Sequence, residues 1–204
     1  MEIPSHILDK ITFILPSDND VIFFKRVWTT DTIIYENRLK AIGFESMENI
    51  LDAGSGFGQW TYCMAKLNKN AYGIEFSKER VEASKIVFDH FQITNINFLQ
   101  GSIESMPFDD NTFDGIFCYS VIFIADFYSS LKECYRILKP GGRLYFCANG
   151  FGWYLYNLIK NHNPSENFSS RTMAINVFKN TLKFSFTGHN KNGKVVMIVP
   201  QIAK

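Results

Sequence analysis

The amino-acid sequence predicts an α/β protein: a doubly wound, Rossmann-like fold with a mainly parallel sheet, helices on both faces and an antiparallel hairpin at the C-terminal end. Three observations predict it. From residue 49 onward, short β-rich runs alternate with segments of helical period, the pattern of repeated strand–helix units. A glycine cluster stands directly after the first of those runs, where such sheets place their ligands. A chain of 204 residues that is 46% hydrophobic supplies one substantial core and is short for two, so 1–204 reads as a single domain.

The elements follow in order. Residues 1–48 read as an N-terminal helical cap, with "DTIIYENRLKAIGF" as a helix ending near Gly43. The core, 49–149, opens with "NILDAG" as a first strand. "GQWTYCMAKLNK" follows as a helix, with Trp60, Cys63, Met64 and Leu67 at helical spacing. "NAYGIEF" is a second strand. "SKERVEASKIVFDHF" is a helix with Ser77 as its N-cap and with Val81, Ser84, Ile86 and Phe88 along one side. "INFLQGS" and "FDGIFCYSV" read as strands three and four, "FYSSLKECYRIL" as a helix and "RLYFCAN" as strand five. "KPGG" stops the last helix, because proline cannot continue it and glycine tolerates a left-handed exit.

Beyond the core the pattern changes. Residues 150–181 read as two short helices joined by a polar loop around Pro164, in the place of a lid over the strand ends. Residues 182–204 read as two strands, "LKFSFTG" and "KVVMIVP", joined at Asn192-Gly193, a pair suited to a tight hairpin turn. The closing "QIAK" fits the start of a further helix equally well.

Bulk properties narrow the function classes. With 21 basic and 20 acidic residues the formal net charge is +1, and no run of like charges marks a nucleic-acid or anionic-membrane surface. Cys63, Cys118, Cys134 and Cys147 form no CxxC pair and no zinc-ligand spacing, so no metal is expected. Three of them fall in apolar runs, where a thiol acts as a small hydrophobe, and this suits a reducing compartment. No apolar run is long enough to span a bilayer, and the opening residues Glu2, Pro4 and Ser5 lack the basic start of a signal peptide. A cytoplasmic location is the expectation.

The candidate site begins in "LDAGSGFGQW". Gly54, Gly56 and Gly58 are spaced G-x-G-x-G, whereas dinucleotide enzymes use G-x-G-x-x-G to seat a pyrophosphate. Asp52, just ahead of them, favours a cationic amino group or a hydroxyl over a phosphate. Glu75 closes the second strand, where a carboxylate can accept hydrogen bonds from both hydroxyls of a ribose. By itself a strand-end acid is usually a solvated charge, but the glycines shift that balance. After strand three, "GSIESMPF" offers Ser102 or Glu104 to an exocyclic amine and the Ile103 N–H to a purine ring nitrogen. Cys118, Tyr119 and Ser120 stand at the mouth of strand four.

"LDAGSGFG", Glu75, "GSIESMPFDDNTFDGIF" and "LKECYRILKPGGRLYF" together resemble the ordered motifs of class I S-adenosylmethionine-dependent methyltransferases, the small-molecule group above all. The resemblance covers 49–149. It implies S-adenosyl-L-methionine as cofactor and S-adenosyl-L-homocysteine as product. It implies that Asp52, Gly54, Gly56 and Gly58 line the methionine part. Glu75 takes the ribose, and Ser102, Ile103 and Glu104 the adenine, with Ala53, Ser55, Phe76, Cys118 and Tyr119 completing the cofactor site. One departure is Ser102, where the family usually has aspartate, so a charge-assisted adenine contact becomes a neutral one.

Methyl transfer from a sulfonium is an in-line displacement whose leaving thioether needs no acid, so positioning dominates and a base serves only an acceptor that must lose a proton. Tyr119 and His162 are the candidates for that base. Tyr35, Trp153, Tyr154 and Tyr156 are the candidates for the acceptor pocket, and the partner expected is a small molecule. Two other readings compete: a domain that binds the cofactor without transferring, and a nicotinamide-dependent oxidoreductase, which the glycine spacing disfavours.

Overall fold

The computed structural model describes residues 3–122, 124–149 and 195–201. Three helices come first, α1 (Ser5–Ile14), α2 (Asp18–Thr29) and α3 (Thr32–Ala41). Then follow β1 (Asn49–Ala53), α4 (Gln59–Leu67), β2 (Asn70–Glu75), α5 (Lys78–His90), β3 (Ile96–Gln100), β4 (Phe113–Cys118), α6 (Phe127–Ile137), β5 (Leu138–Asn149) and β6 (Val195–Gln201). The strands lie in the order β3-β2-β1-β4-β5-β6, and every described pairing is parallel. The chain winds outward from β1 through β2 to β3, then returns to the other side of β1 as β4. That reversal puts the crevice beyond the carboxyl ends of β1 and β4.

Local chemistry explains the helix ends. α1 stops at Ile14 because Pro16 holds Leu15 in the extended region, at ψ 136°. Ser17 caps α2 by accepting from the Asp20 N–H, Asp31 caps α3 through the Ile33 N–H, and Ser77 caps α5 through the Arg80 N–H. α3 ends in a Schellman motif: Gly43 is left-handed at φ +71°, its N–H donates to Lys40 O, and the Phe44 N–H donates to Leu39 O.

Successive residues of β1 serve opposite faces of the sheet. Leu51 and Ala53 pack with Cys134 and Ile137 of α6, while Ile50 packs with Leu39 of α3 and Met64 of α4. A further cluster joins α1 and α2 to α5 through Ile11, Phe24, Trp28, Val81, Val87 and Phe88. On α5 the buried side is thus Val81, Ala83, Ser84, Val87 and Phe88, with Ile86 only half-buried, a small correction to the expected face.

The helix α6 does end just before "KPGG", and β5, which begins at Leu138, carries that segment as a bulge. Phe113 pairs with Leu138, and then Gly115 with Arg143, so 139–142 loop out of the ladder with Gly141 at φ +79°. The strand "KVVMIVP" is present as β6, and its partner is β5 in parallel, from Arg143 opposite Val195 to Asn149 opposite Gln201. "LKFSFTG" and its turn lie outside the described residues, as do 150–181 entirely. Among the described residues, no helix is long and apolar enough to cross a membrane.

Candidate functional site

β1 runs into the loop 54–58, whose three glycines are all left-handed: Gly54 at φ +78°, Gly56 at +57° and Gly58 at +75°. Their surroundings differ. A Cβ on Gly54 would lie 2.6 Å from the Val121 side chain, and one on Gly58 would lie 2.5 Å from the Phe88 ring. On Gly56 the nearest atoms would be those of the Phe23 ring, at 3.8 Å. Gly54 and Gly58 are therefore closed in by packing, and Gly56 keeps an open side that a ligand can approach.

Two buried polar atoms here, Ser55 Oγ and Gln59 Oε1, have no hydrogen-bond partner among the described residues. Each such group costs on the order of 1–3 kcal/mol, so the loop carries bonding capacity that the described residues do not use. The loop is held from behind by the N–H groups of Gly54 and Ser55, which both donate to Ile74 O at 2.9 and 3.0 Å.

Two carboxylates flank the loop. Asp52 is 2% exposed, and the Thr61 hydroxyl donates to its Oδ2 at 2.6 Å. Burial pushes the Asp52 carboxyl up to about 7, against the Thr61 hydrogen bond, and the neighbouring Glu75 charge adds to the rise. Glu75, 8% exposed, accepts from the Gly56 N–H at Oε2 (2.9 Å) and from the Ser77 N–H at Oε1 (3.0 Å). The carboxylate thus ties the glycine loop to the start of α5. Burial raises the Glu75 carboxyl above its ordinary value, opposed by the Ser77 N–H, the Arg80 charge and the Gly56 N–H. Phe76, next in the chain, leaves an apolar ring 68% exposed at the end of β2.

The turn after β3 is tied to α6. Ser102 Oγ accepts from the Glu104 N–H at 3.1 Å, and Glu104 Oε1 accepts from the Asp126 N–H at 2.7 Å. Ile103 buries its side chain in the core, so it can offer a ligand only its backbone. At the mouth of β4, Cys118 is buried and Tyr119 stacks on Phe117, with centroids 5.8 Å apart, and leans on Trp60. Ser120 follows at φ +57°, a left-handed residue without the licence of glycine, beside the Val121 that covers Gly54.

The structure thus brings Asp52, Ala53, Gly54, Ser55, Gly56, Gly58, Glu75, Phe76, Ser102, Ile103, Glu104, Cys118 and Tyr119 to the carboxyl ends of β1 to β4. Tyr35 is a correction. It is buried, its hydroxyl donates to Val27 O at 3.4 Å and its ring packs edge-on against Trp60, so it supports the wall from behind and does not line an open pocket. His162, Trp153, Tyr154 and Tyr156 lie outside the described residues. Sequence reasoning missed Phe23, Trp28, Thr61 and Arg80. Of these only Thr61 had a local signal, a hydroxyl one face along from the glycine loop. Among the described residues, no group of His, Cys, Asp and Glu is arranged to hold a metal ion.

The carboxyl ends of β1 and β2 thus gather a left-handed glycine loop and two buried carboxylates, Asp52 and Glu75, at the switch point of the sheet. Residues 51–146 match a family described as a methyltransferase domain. A demethylmenaquinone methyltransferase of Geobacillus sp. (strain WCH70) is 30% identical over 145 residues, which are 68% of this chain and 59% of that protein. YcgJ of Bacillus subtilis, an uncharacterized methyltransferase, has a crystal structure that covers 70% of this chain and 66% of its own, with a TM-score of 0.57 at 23% identity. A Methanococcus maripaludis structure, itself proposed to be an S-adenosylmethionine-dependent methyltransferase, covers 78% of this chain and 76% of its own, with a TM-score of 0.55 at 26% identity. Residues 51–146 are a methyltransferase domain with the fold of class I S-adenosylmethionine-dependent methyltransferases. The chain spans about 59% of the length of the Geobacillus relative.

Proposed function

We propose that this chain binds S-adenosylmethionine across the carboxyl ends of β1, β2 and β3 and methylates a small-molecule acceptor presented at the mouth of β4. The observation that carries the reading is Glu75, a buried carboxylate at the end of β2 whose Oε2 accepts from the Gly56 N–H of the glycine loop and whose Oε1 accepts from the Ser77 N–H. When bound, the cofactor would supply a sulfonium methyl group whose carbon an acceptor attacks in line, with the C–S bond breaking and the neutral thioether leaving. The chain's own work is binding and orientation. Gly56 admits the ligand close to the backbone, Ser55 Oγ and Gln59 Oε1 meet polar groups, and Asp52 favours a cation once it ionises. Glu75 orders the ribose and Phe76 offers an apolar face to the base. Tyr119, at the mouth of β4, is the described residue best placed to face an acceptor.

Demethylmenaquinone is the first acceptor to try, since several relatives carry that name. Calorimetry with S-adenosylmethionine and S-adenosylhomocysteine should show both bind. Incubation with S-adenosylmethionine should then release S-adenosylhomocysteine only in the presence of an acceptor. Binding without release across an acceptor panel would leave a cofactor-binding domain that does not transfer, and no binding at all would overturn the reading.

A further inference from the structure

Arg80 has no part in the function proposed above, yet it touches three segments that meet at the site. Its Nε and Nη2 both donate to Asp20 Oδ1, at 3.0 and 2.7 Å, and the other Asp20 oxygen accepts from the Ser17 hydroxyl at 2.7 Å. Its guanidinium lies 5.6 Å from the Phe23 ring centroid and 5.5 Å from that of Phe57. Phe57 belongs to the glycine loop, Phe23 is the side chain nearest the open side of Gly56, and Asp20 and Phe23 are both on α2. The same helix sends Trp28 Nε1–H to Phe57 O at 3.1 Å, a buried bond. Arg80 also acts on Glu75, helping to keep its carboxyl ionised against burial.

The position is costly on local grounds. Arg80 stands in the first turn of α5, where the helix dipole disfavours a cation. The pair with Asp20 is largely shielded, at 33% and 14% side-chain exposure, so it is screened less than a surface pair. A lysine would keep the charge but lose the planar fork that bonds Asp20 through two nitrogens while its face lies over two rings.

We infer that Arg80 is a positioning residue for this site: through Asp20 it seats α2 against the glycine loop, and so fixes the Gly56–Glu75 contact that a ribose-bearing ligand meets. The inference rests on the reading of that crevice as a cofactor site. A clasp that served stability alone would alter unfolding and nothing else, which makes the two roles separable.

The test uses the full chain with Asp20→Asn, Arg80→Met, Arg80→Lys and the Asp20→Asn/Arg80→Met double variant. In the ligand-free protein, hydrogen exchange at the Gly56 and Ser77 amides should quicken about tenfold in Asp20→Asn and Arg80→Met, a local opening, while Ile116 in β4 is unmoved. By calorimetry, affinity for S-adenosylmethionine and S-adenosylhomocysteine should fall about tenfold in Asp20→Asn and further in Arg80→Met, with part regained in Arg80→Lys. The double variant should be no worse than Arg80→Met, because the two residues act as one unit. Variants that lose thermal stability but keep both amide exchange and affinity within twofold of the parent would reduce Arg80 to a structural clasp and overturn the inference. A parent chain that binds neither ligand would instead sink the cofactor reading, and the Gly56 exchange would still decide whether Arg80 seats the loop.

Discussion

Three glycines with similar φ values do three different jobs. Gly58→Ala adds a Cβ 2.5 Å from the Phe88 ring in a left-handed backbone, so strain and overpacking combine to a loss of about 2–4 kcal/mol by chemical denaturation. Gly56→Ala meets open space and should cost only about 1 kcal/mol, while Gly56→Val should fold and yet lose S-adenosylmethionine binding in calorimetry. Glu75→Ala has a double effect. It should weaken S-adenosylmethionine and S-adenosylhomocysteine by roughly ten- to a hundredfold, since both carry the same ribose, and it also strands the Gly56 and Ser77 N–H groups. Asp52 makes a prediction about pH. Its carboxyl titrates near 7 in the folded chain against 3.8 as a free side chain, so the folded state binds the extra proton between those values. The stability this contributes is complete below about pH 4 and is lost as pH rises through 7. Asp52→Asn should therefore gain on the parent in thermal unfolding as pH goes from 5 to 8. The reverse trend would show that Asp52 is charged in the fold.

At the scale of elements, two clasps hold the crevice open to the right width. α2 is one, pinned to the loop by the Trp28 Nε1–H bond to Phe57 O and by edge-on contacts of Phe23 and Phe24 with Phe57. Trp28→Phe keeps most of the apolar volume and removes that bond, leaving Phe57 O unpaired. It should cost about 1–3 kcal/mol and loosen the loop amides in hydrogen exchange before any strand opens. The other clasp is α6. Arg136 donates to Met106 O and Phe108 O and pairs with Glu133 and Asp110, while Glu133 Oε2 accepts from the Met106 N–H. The turn 102–106, where an adenine is expected, is thus held by a helix beyond β4. Arg136→Met should speed exchange across 102–108 and weaken S-adenosylmethionine while leaving Gly56 protected, which distinguishes it from the α2 variants.

Across the whole molecule, the two ends of the sheet differ in chemistry. The amino ends carry ion pairs, Lys139 with Asp114, Lys69 with Glu48 and Lys66 with Glu36, and a hollow of about 460 Å³ lined by Gly43, Asp114, Lys139 and Arg143. There Lys139 pairs with Asp114 and Arg143 donates to Gly43 O, whereas among the described residues the carboxyl ends hold Ser55 Oγ and Gln59 Oε1 without a partner. The imbalance of unmet hydrogen bonds, and not the size of a hollow, marks the working end. A ligand that binds only the folded chain stabilises it by about 2.7 kcal/mol at a hundred times its dissociation constant, which for a chain of this size raises Tm by roughly 5–10 °C. S-adenosylhomocysteine should produce that shift in a thermal scan, and Glu75→Ala should abolish most of it.

What the residues alone determined was everything carried by short-range chemistry: strand and helix period, the caps at Ser77 and Gly43, the spacing of Gly54, Gly56 and Gly58, and the strand-end acid Glu75. These signals are local because backbone conformation and burial pattern are set by neighbours within a turn or a strand. The helices α1 and α2 were less legible, for "SDNDVIFF" mixes polar and apolar residues on a face that is defined only by what packs on it. Which glycine stays open was undetermined as well, since Gly54 and Gly58 are closed by Val121 and Phe88, residues remote in the chain. The same holds for Tyr35, whose ring packs edge-on against Trp60, and for Arg80, whose partner Asp20 lies 60 residues away. Only the tertiary structure decided these, because each depends on which distant side chain fills a given space, and no local pattern encodes that.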